Sequence, residues 1–209
     1  MLEAPAFWWR ERSLAGYALS PVGTLYGAVA ARRMRRPAPR APIPVICVGG
    51  LTLGGAGKTP TALAIAAICG EMGRRPGFVT RGYGGSEPGP VLVDAKRHTA
   101  AQVGDEPLIL ARAHPTVAGR DRLAGARLLA RLGCDVAVMD DGFQSPSLEK
   151  DLALLVVDAG QGIGNGLVFP AGPLRAPLAA QIRRADAVVL IGGPAKDATV
   201  ARAAARCGV

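Results

Sequence analysis

The chain has 209 residues, 49% of them hydrophobic, and a formal net charge of +9 at pH 7. This length allows one well-packed core, and the composition is typical of a folded α/β protein and excludes a disordered chain. An excess of basic over acidic residues indicates a polyanionic partner. Only 4% of the residues are aromatic, too few for stacking on bases, so we predict no nucleic-acid partner.

The four cysteines do not form a metal-binding or disulfide pattern. Neither a C-x-x-C pair nor a histidine cluster accompanies them, so their spacing predicts no zinc site and no disulfide framework. Such cysteine usage is typical of a reducing cytosol. The cysteines are Cys47, Cys69, Cys134 and Cys207.

Residues 1–36 differ from the rest, because an uncharged span, 13–31, is flanked by arginines on both sides. Glycine, serine, proline and threonine interrupt it, which makes it too weak to span a membrane with ~20 apolar residues. It also lacks the cleavage site of a signal peptide. We predict an amphipathic helix over 1–36 on an anionic membrane surface, with a helix packed on its own domain as the alternative. Its helically spaced apolar residues are Leu14, Ala18, Val22, Leu25 and Val29.

A proline-rich linker, 37–44, leads into the strongest chemical signal in the chain. A buried strand is predicted over 45–48, then a glycine-rich turn, then a helix opening at Lys58 and Thr59. Backbone N–H groups of such a turn wrap around a polyphosphate, the lysine reaches the β- and γ-phosphates, and the threonine hydroxyl ligates Mg²⁺. The pattern matches the G-x-x-x-x-G-K-[ST] template except at its first glycine. The predicted nucleotide-binding residues are Thr52, Leu53, Gly54, Gly55, Ala56, Gly57, Lys58 and Thr59.

A helix over 61–72, a strand over 77–80 and a glycine-rich loop, 81–85, follow in the sequence. The loop carries Arg81 and Tyr83, which suit contact with a ligand, and a plain turn is the alternative. Another short strand is predicted over 91–93.

The next helix begins near residue 104 and runs to about residue 113. Asp105 and Glu106 stand at its start, where acidic residues favour capping. A strand over 116–118 precedes a helix that ends near residue 132. Arg120 and Arg122, at the start of that helix, could hold phosphate oxygens or be solvated.

An apolar strand over 135–141 ends in two carboxylates, Asp140 and Asp141. In proteins with a phosphate loop, an acidic residue at such a strand end faces the loop and orders Mg²⁺. We predict this metal role over a polar strand terminus in a tight turn, and the pattern does not separate the two residues.

The remaining elements are a strand over 152–157, a long loop over 159–180 that contains Asn165, a strand over 186–191 and a helix over 194–206. Long ordered loops tend to be functional. Apolar strands that alternate with helices predict an α/β fold of the P-loop NTPase type, a mostly parallel sheet with helices on both faces. We assign this domain to 45–209 and expect ligands at the carboxyl ends of its strands.

Six motifs in the same order resemble the tetraacyldisaccharide 4'-kinases of lipid A biosynthesis. The resemblance implies transfer of the ATP γ-phosphate to the 4'-hydroxyl of a tetraacylated glucosamine disaccharide 1-phosphate. It implies ATP and Mg²⁺ as cofactors, a peripheral location on the cytoplasmic face of the bacterial inner membrane, and no obligatory protein partner. The motifs are residues 48–60, 80–85, 103–107, 119–122, 139–144 and 170–175.

Site residues follow from the same resemblance. Asp105 corresponds to the catalytic aspartate that assists deprotonation of the sugar hydroxyl, which replaces the capping interpretation. Lys58, with Arg120, Arg122 and Arg175, would contact the phosphates or the transition state. The metal would be held by Thr59, Asp140 and Asp141, and the acceptor by Arg81, Tyr83 and Asn165.

The chain departs from the family in two respects. Ala176 stands where the family commonly has glutamate, and the second, smaller domain that supplies a histidine partner to the catalytic aspartate is expected to be absent. His98 and His114 lie outside the position of that partner. A membrane-associated P-loop ATPase or switch protein, and a catalytically silent kinase core, are therefore the alternative functions.

Overall fold

The computed structural model describes residues 4–10, 12–55, 57–193 and 199–207. A short 3-10 helix, Ala6–Trp9, comes first. The other elements, in chain order, are α1 (Leu14–Met34), β1 (Val45–Gly50), α2 (Lys58–Glu71), β2 (Pro76–Thr80), β3 (Val91–Leu92), α3 (Ala100–Val103), α4 (Asp105–Leu110), β4 (Thr116–Ala118), α5 (Arg122–Arg131), β5 (Val136–Asp140), β6 (Leu152–Asp158), α6 (Leu178–Ile182), β7 (Ala187–Ile191) and α7 (Thr199–Cys207).

Contacts divide the chain into two compact units. The first unit comprises 1–36, 49–57 and 154–209, and the second comprises 37–48 and 58–153. The helix predicted as a separate segment thus belongs to the first unit. The predicted linker, 37–44, belongs to the second.

The second unit contains five strands in the order β3-β4-β2-β5-β1. Strands β1, β5, β2 and β4 run parallel, and only the short edge strand β3 is antiparallel. In the register of β1 with β5, Val48 lies opposite Asp140. Both strands are buried along this pairing, as expected for a parallel sheet covered by helices.

Helices α2 and α5 cover the sheet of the second unit. Helix α2 packs on β2 and β5, and α5 packs on β2, β4 and β5. A methyl group at Gly125 of α5 would lie 3.4 Å from side-chain atoms of both Val79 and Val117, so the helix approaches the strands closely. Asp121 caps α5 by accepting from Ala124 N at 3.0 Å.

The helix predicted from residue 104 to 113 is interrupted at its start. Gly104 has φ 89° and separates α3 from α4. It is also the N-cap of α4, so Asp105 and Glu106 stand in the first turn without supplying the cap. The segment 37–44 is likewise held in place, because Pro39 O accepts from Glu149 N at 2.9 Å.

In the first unit, β6 and β7 pair in parallel, and α1 packs on the loop predicted over 159–180. Methyl groups at Gly16, Gly23 and Gly27 would lie 2.6 to 3.3 Å from atoms of this loop, so these glycines allow the close approach. Trp8 fixes the start of the chain by donating from Nε1 to Pro170 O at 3.0 Å.

The outward side of α1 carries the helically spaced apolar residues predicted from the sequence. Leu14 is 90% exposed and Leu25 is 69% exposed. The hydroxyls of Ser20 and Thr24 donate to carbonyls of the preceding turn at 2.8 Å. The helix is therefore apolar, and its two sides differ in side-chain size rather than in polarity, whereas the sequence predicted an amphipathic helix. By length and composition alone, α1 is long and apolar enough to cross a membrane, which differs from the expectation that this span is too weak to do so.

Candidate active site

The glycine-rich loop, 51–57, is held at its start by the segment around Arg175. Leu53 N donates to Pro173 O at 2.8 Å. The Arg175 side chain donates from Nε to Thr52 O at 2.9 Å. Arg175, predicted as a phosphate contact, thus contacts the backbone of the loop in this structure.

The middle of loop 51–57, at Gly54 and Gly55, is open to solvent. Gly54 has φ 117° and Gly57 has φ 76°, conformations that favour glycine. A methyl group at Gly54 or Gly55 would meet no atom within 4 Å, whereas one at Gly57 would lie 2.8 Å from Ile191 Cδ1. Ala56, also predicted to bind nucleotide, lies outside the described residues.

The start of α2 meets the acidic end of β5 within the second unit. Thr59 Oγ1 donates to Asp140 Oδ2 at 3.1 Å. Lys58 Nζ lies 3.8 Å from Asp141 Oδ2, and the lysine side chain is only 7% exposed. The structure therefore brings together the lysine, the threonine and the two aspartates that the sequence singled out.

Asp140 is the most strongly perturbed carboxyl group at this strand end. It is 1% exposed, and its Oδ1 has no hydrogen-bond partner among the described residues. Burial and the neighbouring charge of Glu106 raise the pKa of Asp140 to about 6, against the lowering effect of the Thr59 hydrogen bond. A buried carboxylate oxygen without a partner is costly, and such groups are concentrated at functional sites.

Arg122 lies buried beside the same strand end. Its Nη2 donates to Asp141 O at 2.9 Å, and Asp141 itself has φ 51°, a left-handed conformation that is strained for a residue with a side chain. Burial lowers the pKa of Arg122, while the charges of Asp141 and Asp140 oppose this shift. This contact differs from the phosphate contact predicted for Arg122, and it fits a residue that holds Asp141 in position.

Replacing Arg122 by leucine is expected to lower the free energy of unfolding by roughly 1–3 kcal/mol, because Asp141 O loses its partner and Asp140 loses a nearby positive charge. Urea unfolding monitored by circular dichroism measures this. Arg120→Leu, at the exposed arginine two residues earlier, is the control and should change stability by no more than about 0.5 kcal/mol. Equal losses in both variants would contradict the positioning role.

Asp105 lies exposed at the first residue of α4. The glycine-rich loop 81–85 packs on this junction, since Tyr83 O lies 2.6 Å from the position of a methyl group at Gly104. The side chain of Tyr83 is 84% exposed, and Arg81 is exposed as well. Two predicted acceptor-binding residues are therefore on a loop that contacts the residue preceding the predicted catalytic aspartate.

The side chain of Asn165 makes hydrogen bonds within its own loop. Its Nδ2 donates to Ala171 O at 2.9 Å, and its Oδ1 accepts from Leu167 N at 3.1 Å. Both polar groups are used to fold the loop. Substrate binding by Asn165 stays a prediction.

The two histidines make contacts with nearby residues of the second unit. His98 Nδ1 accepts from Asp94 N at 2.9 Å, and the ring of His114 packs beside Phe78 with centroids 5.9 Å apart.

A comparison with protein families decides the assignment. The family described as tetraacyldisaccharide-1-P 4'-kinase matches residues 15–208. The chain belongs to the tetraacyldisaccharide 4'-kinase family.

Named relatives agree with this assignment. The tetraacyldisaccharide 4'-kinase of Methylobacterium sp. (strain 4-46) is 61% identical over 209 residues, which are 100% of this chain and 63% of that protein. The one from Azorhizobium caulinodans is 58% identical over 191 residues, 91% of this chain and 56% of that protein. This chain thus spans about three fifths of the length of the kinases it matches.

A solved structure of the kinase family has the same fold. The crystal structure of LpxK from Aquifex aeolicus in complex with ATP matches with a TM-score of 0.73 and 32% identity. The match covers 85% of this chain and 59% of that chain. The predicted P-loop α/β class is therefore confirmed, and the N-terminal helix is apolar.

The strand end of this kinase-family chain fits a magnesium ion. Mg²⁺ prefers oxygen ligands and keeps waters and substrate phosphates in its shell, so one or two protein ligands suffice. Thr59 and Asp140 supply a hydroxyl and a carboxylate within hydrogen-bond distance, and Asp140 Oδ1 is unpartnered. No cluster of three or more histidine, cysteine, aspartate or glutamate side chains that could hold a metal occurs in the described part of the chain.

Glu106 is the residue of this kinase-family site that sequence reasoning missed. Its charge is the second largest cause of the raised pKa of Asp140, after burial. The available signal was its position directly after Asp105, but the sequence pattern assigned both residues to a helix start. Proximity to Asp140 depends on how α4 packs, which spacing does not reveal.

Proposed function

We propose that this chain binds Mg-ATP and transfers the γ-phosphate to the 4'-hydroxyl of an acylated glucosamine disaccharide 1-phosphate. The observation that carries the proposal is the contact of Thr59 with Asp140 beside the Lys58–Asp141 pair, in a chain of the tetraacyldisaccharide 4'-kinase family. The Aquifex aeolicus relative, whose crystal structure is named as a complex with ATP, supports ATP as the donor.

The glycine-rich loop 51–57 and Lys58 would bind the ATP phosphates. Open space around Gly54 and Gly55 leaves room for oxygens to approach the backbone. The 3.8 Å pair of Lys58 with Asp141 keeps the ammonium at the start of α2, where it would exchange a carboxylate for phosphate oxygens. Transfer of a phosphoryl group depends mainly on such positioning and charge neutralisation.

Thr59 and Asp140 would hold Mg²⁺. The ion, when bound, neutralises charge that develops on the phosphate oxygens. Asp140 must be ionised for this role, and its pKa of about 6 leaves it mostly ionised at neutral pH. Arg122, which donates to Asp141 O, would fix the backbone next to this carboxylate.

Asp105 would accept the proton of the attacking 4'-hydroxyl. Its exposure at the start of α4 makes the carboxylate accessible to an acceptor. Tyr83 and Arg81, on the adjoining loop, would contact that acceptor, and the guanidinium suits an acceptor that carries a phosphate.

Asp105→Asn is expected to lower the rate of transfer from Mg-ATP to the tetraacyldisaccharide 1-phosphate by roughly 10²–10⁴-fold, because the amide cannot accept the proton. The affinity for ATP should stay unchanged. The rate is measured with radiolabelled ATP, and Glu87→Gln, an exposed carboxylate outside the proposed machinery, is the control. ATP binding by the wild-type chain without any transfer would contradict the kinase proposal. Normal turnover by Asp105→Asn would contradict only the role of Asp105.

The apolar side of α1 would attach the chain to the cytoplasmic face of the bacterial inner membrane, close to an acylated substrate. Exposed leucines and valines are unfavourable in water. The hydroxyls of Ser20 and Thr24 are bonded within the helix, which suits an apolar surrounding. Arginines at both ends of the helix suit anionic headgroups.

Replacing Leu25 and Val29 together by glutamate is expected to reduce sedimentation with phosphatidylglycerol-containing vesicles by at least about tenfold, since buried apolar surface is lost and negative charge is added. The matched control is Ile68→Glu with Met72→Glu, an exposed apolar pair of the same spacing at the end of α2 and directly after it. Equal loss in the control would show a general charge effect and contradict attachment through α1.

A further inference from the structure

A cavity lined by three arginines lies in the first unit, where two helices end. Its volume is about 330 Å³, and its lining residues are Ala31, Arg35, Ala180, Arg183 and Arg184. Arg35 is the C-cap of α1, and Arg183 is the C-cap of α6. We call this cavity the arginine pocket.

The positive charge of the arginine pocket is not balanced by carboxylates. The ion pairs of the described residues involve other side chains, so Arg35, Arg183 and Arg184 have no acidic partner in the described part of the chain. Helix ends attract cations through the helix dipole, but the last turn of α1 already carries Arg32 and Arg33. Three further guanidinium groups around one cavity exceed that requirement and suit an anion with several oxygens.

Close packing of α1 on the start of α6, rather than the arginine side chains, positions the two helices. A methyl group at Gly27 of α1 would lie 3.3 Å from Cγ of Pro177, and Pro177 is the N-cap of α6. Gln181 of α6 is fully buried, and its Nε2 donates to Ala176 O at 2.7 Å. The backbone that carries the arginines is therefore already fixed by packing, which lowers the entropy cost of binding an anion.

We infer that the arginine pocket binds the phosphate headgroup of an anionic membrane phospholipid. The favoured occupant is a lipid because the pocket lies at the C-terminal end of α1, the helix whose exposed apolar residues extend to Val29 at 62% exposure. Acyl chains beside that apolar side would put their phosphates at the level of the helix end. This inference rests on the proposed attachment of α1 to the membrane and adds a defined headgroup site to it.

The test is titration of the 209-residue chain with monomeric dihexanoyl-phosphatidylglycerol, followed by calorimetry. Dihexanoyl-phosphatidylcholine and inorganic phosphate serve as comparison ligands. The pocket variant combines Arg35→Gln, Arg183→Gln and Arg184→Gln. The control variant removes the same charge from three exposed arginines of the second unit, by Arg97→Gln, Arg127→Gln and Arg131→Gln.

The pocket variant is expected to bind phosphatidylglycerol on the order of a hundredfold more weakly, and the control variant as tightly as the wild type. Equal weakening in both variants would reduce the effect to net charge and overturn the site. Inorganic phosphate or phosphatidylcholine binding as tightly as phosphatidylglycerol would overturn the headgroup assignment. Monomeric lipid requires neither membrane insertion of α1 nor phosphate transfer, so failure of those proposals is seen separately, in the vesicle and transfer experiments.

Discussion

Lys58→Ala should lower the rate of phosphate transfer on the order of a thousandfold and weaken the binding of ATP. The lysine is 7% exposed, and its Nζ lies 3.8 Å from Asp141 Oδ2, so it is held at the start of α2 as a nearly buried positive charge. Alanine removes this charge from the side of the phosphates, and no other lysine adjoins the loop in the sequence.

The effect of Lys58→Ala is measured as the rate of transfer at saturating acceptor and as the dissociation constant of ATP by equilibrium dialysis. Lys96→Ala, at an exposed lysine of the same unit, is the control and should behave as the wild type. A Lys58→Ala chain that transfers phosphate within about tenfold of the wild-type rate would contradict the phosphate role.

Asp140→Asn should have opposite effects on stability and on activity. The pKa of Asp140 is raised from 3.8 to about 6 in the folded chain, so folding disfavours the carboxylate. Well below pH 3.8 the group is protonated in both the folded and the unfolded chain and costs nothing. Between pH 3.8 and about 6 the unfolded chain loses this proton while the folded chain keeps it, so the contribution of Asp140 to stability falls, and above pH 6 the cost is constant.

At pH 7.5 without metal, Asp140→Asn is therefore expected to raise the free energy of unfolding by about 1–3 kcal/mol, because the amide is neutral and still accepts from Thr59. Near pH 4 most of the gain should be lost, because the folded group is then fully protonated and the unfolded group is partly protonated. Transfer should fall by roughly a hundredfold or more, since the amide is a poor ligand for Mg²⁺. Urea unfolding in EDTA at the two pH values and the transfer assay measure the two effects.

Asp141→Asn is the matched comparison for Asp140→Asn. Asparagine also tolerates the left-handed conformation of this position, but the substitution removes the partner of Lys58, so no gain in stability is expected. A gain as large as that of Asp140→Asn would contradict the assignment of the costly buried charge to Asp140. The two activities together also separate the roles of the neighbouring aspartates.

The carboxylate of Asp140 is unfavourable for stability, and its proposed role as a magnesium ligand accounts for its burial at the end of β5. The carboxylate is buried with an unpartnered oxygen, and Asp141 is held in a strained conformation by Arg122. Such features persist where the surroundings impose them, and they are typical of functional sites. We expect Mg²⁺ to offset the cost at Asp140 by favouring its ionised form.

Local patterns in the sequence were sufficient to predict the phosphate loop, the strand that ends at Asp140, and the alternation of strands and helices. Each depends on residue types at short spacing, and the parallel sheet follows because apolar strands that alternate with helices must be covered on both faces. The apolar residues of α1 were also predicted correctly, because helical periodicity is local.

Only the tertiary structure decided what the longer-range contacts do. It used Asn165 to fold a loop, buried Arg122 against Asp141, and brought the charge of Glu106 near Asp140. It also turned the large apolar side of α1 outward and packed its glycines inward. Spacing along the chain carries no record of these outcomes, because burial, pairing and electrostatic fields arise from residues that meet only when the elements pack.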